Sequence, residues 1–99
     1  MSSIGIIGFG RFGKLAAHYL SNDFSVVVST RSDKQAAIEA CGARPVSFES
    51  ACRQRIVILC MPISAMRDTL RLAAPLLRED ALVVDVCSVK VYPVQWMRE

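Results

Sequence analysis

Three glycines near the amino terminus have the spacing of a phosphate cradle. Ile4 to Gly13 reads I-G-I-I-G-F-G-R-F-G, so Gly8, Gly10 and Gly13 form a G-x-G-x-x-G fingerprint. In that pattern the first glycine permits a tight turn out of a strand. The second lets the backbone approach a pyrophosphate, and the third lets a helix pack closely on the strand. The chemistry is recognition of a dinucleotide's diphosphate by backbone N–H groups and the positive end of a helix dipole. Phe9, Arg11 and Phe12 occupy the loop between the glycines and belong to the same candidate site. Glycine-rich turns are common, so the flanks must give this one its meaning. Ile4, Ile6 and Ile7 read as a short buried strand, and Phe12, Leu15, Ala16, Tyr19 and Leu20 recur at helical spacing, which predicts one apolar helix face.

The second predicted strand, Phe24 to Thr30, ends where a dinucleotide site chooses its cofactor. An NAD site places an Asp or Glu there, about 20 residues past the fingerprint, to bind the ribose hydroxyls. Here the neighbourhood is Ser29-Thr30-Arg31-Ser32, without a carboxylate, and Asp33 falls in the first turn of the next predicted helix. Thr30, Arg31 and Ser32, with Lys34 close by, suit a 2′-phosphate held through forked, charge-assisted hydrogen bonds. This favours NADP over NAD. The plainer reading is that Arg31 and Lys34 are solvated loop charges. The only histidine, His18, lies on the first helix with no partner in sequence and is expected to be a partly exposed packing residue.

The elements that must position these residues alternate strand and helix without a linker, repeat or low-complexity stretch. Ser32 and Gln35 have capping-box spacing, so a helix is predicted over Asp33 to Cys41, closed by Gly42. Pro45 to Phe48 is a third strand, Glu49 to Arg53 a helical turn, and Arg55 to Cys60 the central strand. Ser64 is expected to cap a helix with the apolar face Met66, Leu70, Ala73, Ala74 and Leu77, which Pro75 ends or kinks near Ala74. Ala81 to Val86 is the fifth strand, and Pro93 marks the first turn of a final helix. Such alternation predicts an α/β, Rossmann-type, doubly wound parallel sheet in a single three-layer αβα domain spanning residues 1–99. Ligands then lie beyond the carboxyl ends of the strands, where strands one and four part. The glycine loop, Cys60-Met61-Pro62 and Asp85 to Lys90 converge on that edge.

Composition fits a sheet covered on both faces: 53% of the 99 residues are hydrophobic and 21% charged. The longest apolar run, Ile56 to Pro62, is too short to cross a membrane. The first strand begins too early for a signal peptide, and the four cysteines (Cys41, Cys52, Cys60, Cys87) show no C-x-x-C pairing. Reduced core thiols in a cytoplasmic protein are expected, with two of them in buried strands. A net charge of +3 suits an anionic small molecule and falls short of a nucleic-acid footprint. No metal-ligand cluster is expected.

Asp85 to Met97, D-V-C-S-V-K-V-Y-P-V-Q-W-M, resembles the prephenate and arogenate dehydrogenase family, where strand five commonly ends D-V-G-S-V-K. The opening G-I-I-G-F-G-R-F-G, the V-S-T-R-S turn and the M-P-I-S-A-M segment resemble the same family's cofactor domain. The similarity runs along essentially the whole chain, with the Ser-Val-Lys element its distinctive part. It implies oxidative decarboxylation of prephenate or arogenate with NAD(P)+ in tyrosine biosynthesis. It also implies that Ser88 lies near the nicotinamide and the substrate's ring hydroxyl, and that Cys60, Met61, Pro62 and Ile63 line the nicotinamide half. Otherwise Ser88 is a helix cap or turn serine, Lys90 a surface cation, and Pro62 and Ser64 helix-start residues. Cys87 departs from the family's usual glycine and narrows the space beside the nicotinamide.

The family's catalytic histidine and its helical, dimer-forming domain come after the Ser-Val-Lys element. No general base within this chain qualifies for the alcohol oxidation. The expectation is a cofactor domain partnered by a following helical domain, or by self-association through Val91, Tyr92, Val94, Trp96 and Met97. The alternatives are a non-catalytic dinucleotide-sensing module and another NADP-dependent reductase or hydroxyacid dehydrogenase.

Overall fold

The computed structural model of the chain describes residues 3–31, 33–61, 63–86 and 90–93. The strands are β1 (Ser3–Ile7), β2 (Ser25–Ser29), β3 (Arg44–Pro45), β4 (Ile56–Leu59), β5 (Leu82–Asp85) and β6 (Lys90–Pro93). The helices are α1 (Arg11–Leu20), α2 (Gln35–Ala40), α3 (Phe48–Cys52) and α4 (Ile63–Ala73). They form one six-stranded sheet in the order β3-β2-β1-β4-β5-β6. Five strands run parallel, and β1 lies between β2 and β4, in register from Ile4↔Val26 and Ile4↔Ile56 onward. The chain therefore turns from one side of β1 to the other between β1 and β4, as the alternation predicted.

Strand parity divides the core into two layers, because successive side chains point to opposite faces. On one face Ile4 and Ile6 of β1, Val26 and Val28 of β2 and Ile58 of β4 pack with Ala17 of α1 and Ile38 of α2. On the other, Ile7, Val57, Leu59 and Val83 pack with Ala51 and Cys52 of α3 and Ala73 of α4. Helices thus cover both faces, giving the three-layer α/β domain with a doubly wound sheet.

Four boundaries differ from expectation, each for a local reason. Phe48 opens α3 instead of ending β3, because the Ser47 hydroxyl accepts a hydrogen bond from the Ser50 N–H at 3.2 Å and caps the helix. α4 begins at Ile63, so Ser64 lies inside its first turn rather than at its cap. α2 starts at Gln35, with Lys34 at the cap position, where its own side chain makes no cap bond. Its predicted cap, Ser32, lies outside the described residues. Pro93 ends a strand: β6 pairs antiparallel with β5, from Asp85↔Lys90 to Leu82↔Pro93. Only residues 86–89 separate the two strands, too few for the crossover that a parallel neighbour needs. Proline is tolerated there because β6 is an edge strand. Elsewhere the punctuation held. Gly42 closes α2 with φ of +88°, and Pro75 ends α4 at Ala73 in a short 3₁₀ turn.

The predicted apolar face of α1 is rotated. Phe12, Leu15 and Tyr19 are 64%, 51% and 64% exposed, while Gly13 and Ala17 are buried and Ala16 and Leu20 partly so. The helix sits so close to the sheet that small residues must face it. His18 is exposed, its ring edge-on to Tyr19 with centroids 5.4 Å apart.

The cysteine placement also differs. Cys52, on α3 where a helical turn was predicted, is the fully buried thiol, whereas Cys41 and Cys60, the latter just past β4, are partly exposed and Cys87 is outside the described residues. Burial pushes the Cys52 thiol from 9.0 up to about 11, with the positive charge of Arg53 opposing in part. The thiol ionises first in the unfolded chain, so its stabilising contribution is complete below pH 9.0 and is lost as pH rises toward 11. Urea-denaturation midpoints are therefore expected to fall over that interval. The fall should be shallower for Cys52→Ala, and identical slopes in both proteins would contradict it.

Candidate dinucleotide-binding site

Backbone hydrogen bonds continue one residue past the strands and align their carboxyl ends. The Gly8 N–H donates to the Ser29 carbonyl at 2.8 Å, Cys60 N–H to Ile7 at 2.9 Å, and Val86 N–H to Leu59 at 3.4 Å. Thr30, the Gly8-Phe9-Gly10 loop, Cys60 and Val86 therefore stand in a row along one edge of the sheet. The described parts of the three segments expected to converge do so; Pro62 and residues 87–89, Ser88 among them, lie outside the described residues.

The three glycines serve different needs. Gly8 has φ of +99°, in the left-handed region, and a Cβ there would run into the Cys60 carbonyl. A Cβ on Gly13 would overlap the Gly8 carbonyl oxygen, so α1 is seated directly on the loop. Both are thus required by the chain's own packing. Gly10 is not: its φ is −84°, and among the described residues other than its two chain neighbours nothing lies within 4 Å of where its Cβ would stand. Gly10 is also the N-cap of α1, a ten-residue helix, where no side chain supplies a cap and no acid sits in the first turn. The positive end of that helix thus begins at the one glycine that the packing of the described residues does not demand.

Phe9 lends only its backbone to this edge. Its side chain is 5% exposed and packs with Ile4, Val28 and Ile38 in the core, which anchors the loop. Arg11 and Phe12 begin α1 and are exposed. At the end of β2, Thr30 is partly buried and Arg31 exposed, and among the described residues no carboxylate pairs with Arg31. Asp33 is drawn to the start of α2, its Oδ1 at 3.5 Å from the Gln35 N–H. Beside them lies an open depression of about 150 Å³, lined by Val28, Thr30, Asp33, Lys34, Gln35, Ile38, Pro45 and Val46. At the end of β4, Cys60 and Met61 are partly buried, and Ile63 opens α4. Among the described residues there is no cluster of three or more potential metal ligands. No helix among them is long and apolar enough to cross a membrane.

Two features escaped the sequence. Gly5 is hemmed in because a Cβ there would overlap the Ala51 carbonyl, which explains how closely α3 lies on β1. The Lys34 ammonium donates to the Phe9 carbonyl at 3.1 Å, tying the second helix's start to the glycine loop. Nothing in the residue types announces a bond from a side chain to a main-chain oxygen 25 positions away.

Comparison with known proteins agrees with this geometry. Residues 18–99 match the family described as prephenate dehydrogenase, nucleotide-binding domain. A probable arogenate/prephenate dehydrogenase of Methanocaldococcus jannaschii is 32% identical over 98% of this chain and 23% of its own length. The chloroplastic arogenate dehydrogenase 2 of Arabidopsis thaliana is 35% identical over 91% of this chain and 26% of its own. The crystal structure of Synechocystis arogenate dehydrogenase superposes with a TM-score of 0.74 at 25% identity, covering 84% of this chain and 32% of that one. The chain spans about a quarter of the length of these curated relatives. With its glycine loop, uncapped helix and parallel strand ends, the chain belongs to the prephenate dehydrogenase family as a nucleotide-binding domain.

Proposed function

We propose that this chain holds NADP(H) for a prephenate- or arogenate-oxidising dehydrogenase. Membership of a nucleotide-binding family makes a dinucleotide the cofactor class. The observation that carries the assignment of the site is Gly10, a glycine with an ordinary φ and an empty surround at an uncapped helix start. A diphosphate there would take the place of the missing cap. Gly8, Phe9, Gly10, Arg11, Phe12 and Gly13 then form the pyrophosphate loop, and Thr30, Arg31 and Ser32 the adenosine end. Cys60, Met61, Pro62 and Ile63 form the nicotinamide side. The preference for NADP rests on Arg31 standing exposed at the end of β2 with the nearest acid, Asp33, engaged at α2.

The bound cofactor supplies the hydride acceptor. The chain's own residues orient the cofactor, and the family resemblance gives Ser88 a place at the reacting end. The sole histidine sits exposed on α1 beside Tyr19 and is no candidate base. The base and the substrate cover are assigned to a following helical domain. Self-association through the segment around Val91 to Met97 is the other arrangement that would cover that end. We place residues 1–99 as a single cofactor unit of a cytoplasmic enzyme acting in tyrosine biosynthesis.

Gly10→Val is expected to keep the fold and abolish dinucleotide binding in calorimetric titration, since only a ligand would meet the new side chain. Gly13→Ala should instead lose stability, by about 1–3 kcal/mol from overpacking, in chemical denaturation. Unchanged affinity in folded Gly10→Val would overturn the site.

Arg31→Ala should weaken NADP+ binding by roughly ten- to a hundredfold, as expected for a lost charge-assisted contact to phosphate, and leave NAD+ nearly unaffected. Equal losses for the two cofactors would make Arg31 structural.

A further inference from the structure

The bond between Lys34 and the glycine loop has a geometric consequence for the proposed site. No peptide bond in the described chain is cis, so the Phe9–Gly10 peptide is planar and trans. Its carbonyl oxygen and the Gly10 N–H consequently point in opposite directions. Lys34 holds that carbonyl at 3.1 Å with a charged donor, a stronger bond than a neutral one. The Gly10 N–H, at the N-cap of α1, is thereby turned away from Lys34.

Among the described residues no other hydrogen bond to this peptide is made. On one side Phe9 is clamped by its buried ring. On the other, Gly10 is exposed, has no Cβ and meets no atom within 4 Å of that position. Glycine tolerates either orientation of the preceding peptide. A rotated plane would aim a carbonyl oxygen where the diphosphate's oxygens belong and remove an N–H donor at the same stroke. The ammonium also brings a positive charge from the start of α2 to the loop without occupying the anion's place.

We propose that Lys34 is a positioning residue that locks the Phe9–Gly10 peptide with its N–H facing the diphosphate, which rests on the dinucleotide reading above. Its effect falls on the pyrophosphate, which NAD and NADP share. Lys34 therefore governs affinity for both, unlike Arg31, whose effect belongs to the 2′-phosphate.

The test is calorimetric titration of wild type, Lys34→Met, Lys34→Ala and Lys34→Arg with NAD+ and NADP+, beside ¹⁵N–¹H NMR of the Gly10 amide without ligand. The expected result is a loss on the order of tenfold, equal for both cofactors, in Met and Ala, with unchanged melting temperature. The Gly10 amide resonance should move in both, and Arg should restore much of the affinity. A loss confined to NADP+ would place Lys34 on the 2′-phosphate and overturn the proposal, as would no loss at all. Wild type binding neither cofactor would instead refute the dinucleotide reading. The Gly10 amide would still report whether Lys34 sets that peptide, an unmoved resonance refuting it.

Discussion

Two carbonyl oxygens, those of Gly8 and Cys60, set the distances on which this domain depends. They stand where side chains would have to go on Gly13 and Gly8. α1 consequently rests on the loop, and the loop on the end of β4, with no side chain between. That contact brings the helix's amino end to the carboxyl edge of the sheet, where Thr30, Cys60 and Val86 also arrive. A methyl group's thickness at either glycine would separate the helix dipole from the strand ends that must cooperate with it. The site is therefore an outcome of backbone packing, and its side chains refine a geometry they do not create.

The same closeness explains why the strand architecture was legible and the facing of α1 was not. Strands announced themselves through apolar runs, and parity then assigned Ile4 and Ile6 to one face and Ile7 to the other. Gly42 and Pro75 ended their helices through constraints written into single residues. For α1 the large apolar residues suggested a face that the structure turns outward. A helix seated on a glycine must present its smallest residues, so Gly13, Ala16 and Ala17 outrank Phe12 and Tyr19. Hydrophobic periodicity sees size and polarity, and here distance of approach decided. The antiparallel β6 was missed for a related reason: Pro93 carries a helix-start signal, but the brevity of the connection from Asp85 constrains the chain more strongly.

Within the site, main-chain roles were the harder ones to read. The spacing of the glycines put the loop between β1 and α1, where the structure has it, and the absence of an acid after β2 is visible in four letters. The bond from Lys34 to the Phe9 oxygen is different in kind. Carbonyls are identical at every residue, so a side chain that serves one leaves no pattern in the sequence. Phe9 illustrates the complementary point, a motif position whose side chain serves the core while its peptide faces the edge.

Placing β1 at the centre of the sheet also governs how the chain can be made. Ile4 pairs with Val26 on one side and with Ile56 on the other. During synthesis β2 arrives first, leaving the second edge of β1 without its partner until the residues of β4 have been added. At a translation rate of roughly 5–20 residues per second, the wait is on the order of 3–10 s. Throughout it the nascent chain carries an unpaired edge on a strand with three isoleucines, Ile4, Ile6 and Ile7, the kind of surface that invites pairing with other chains. The topology that joins the glycine loop to β4 thus leaves one edge of β1 open until the residues of β4 have been made.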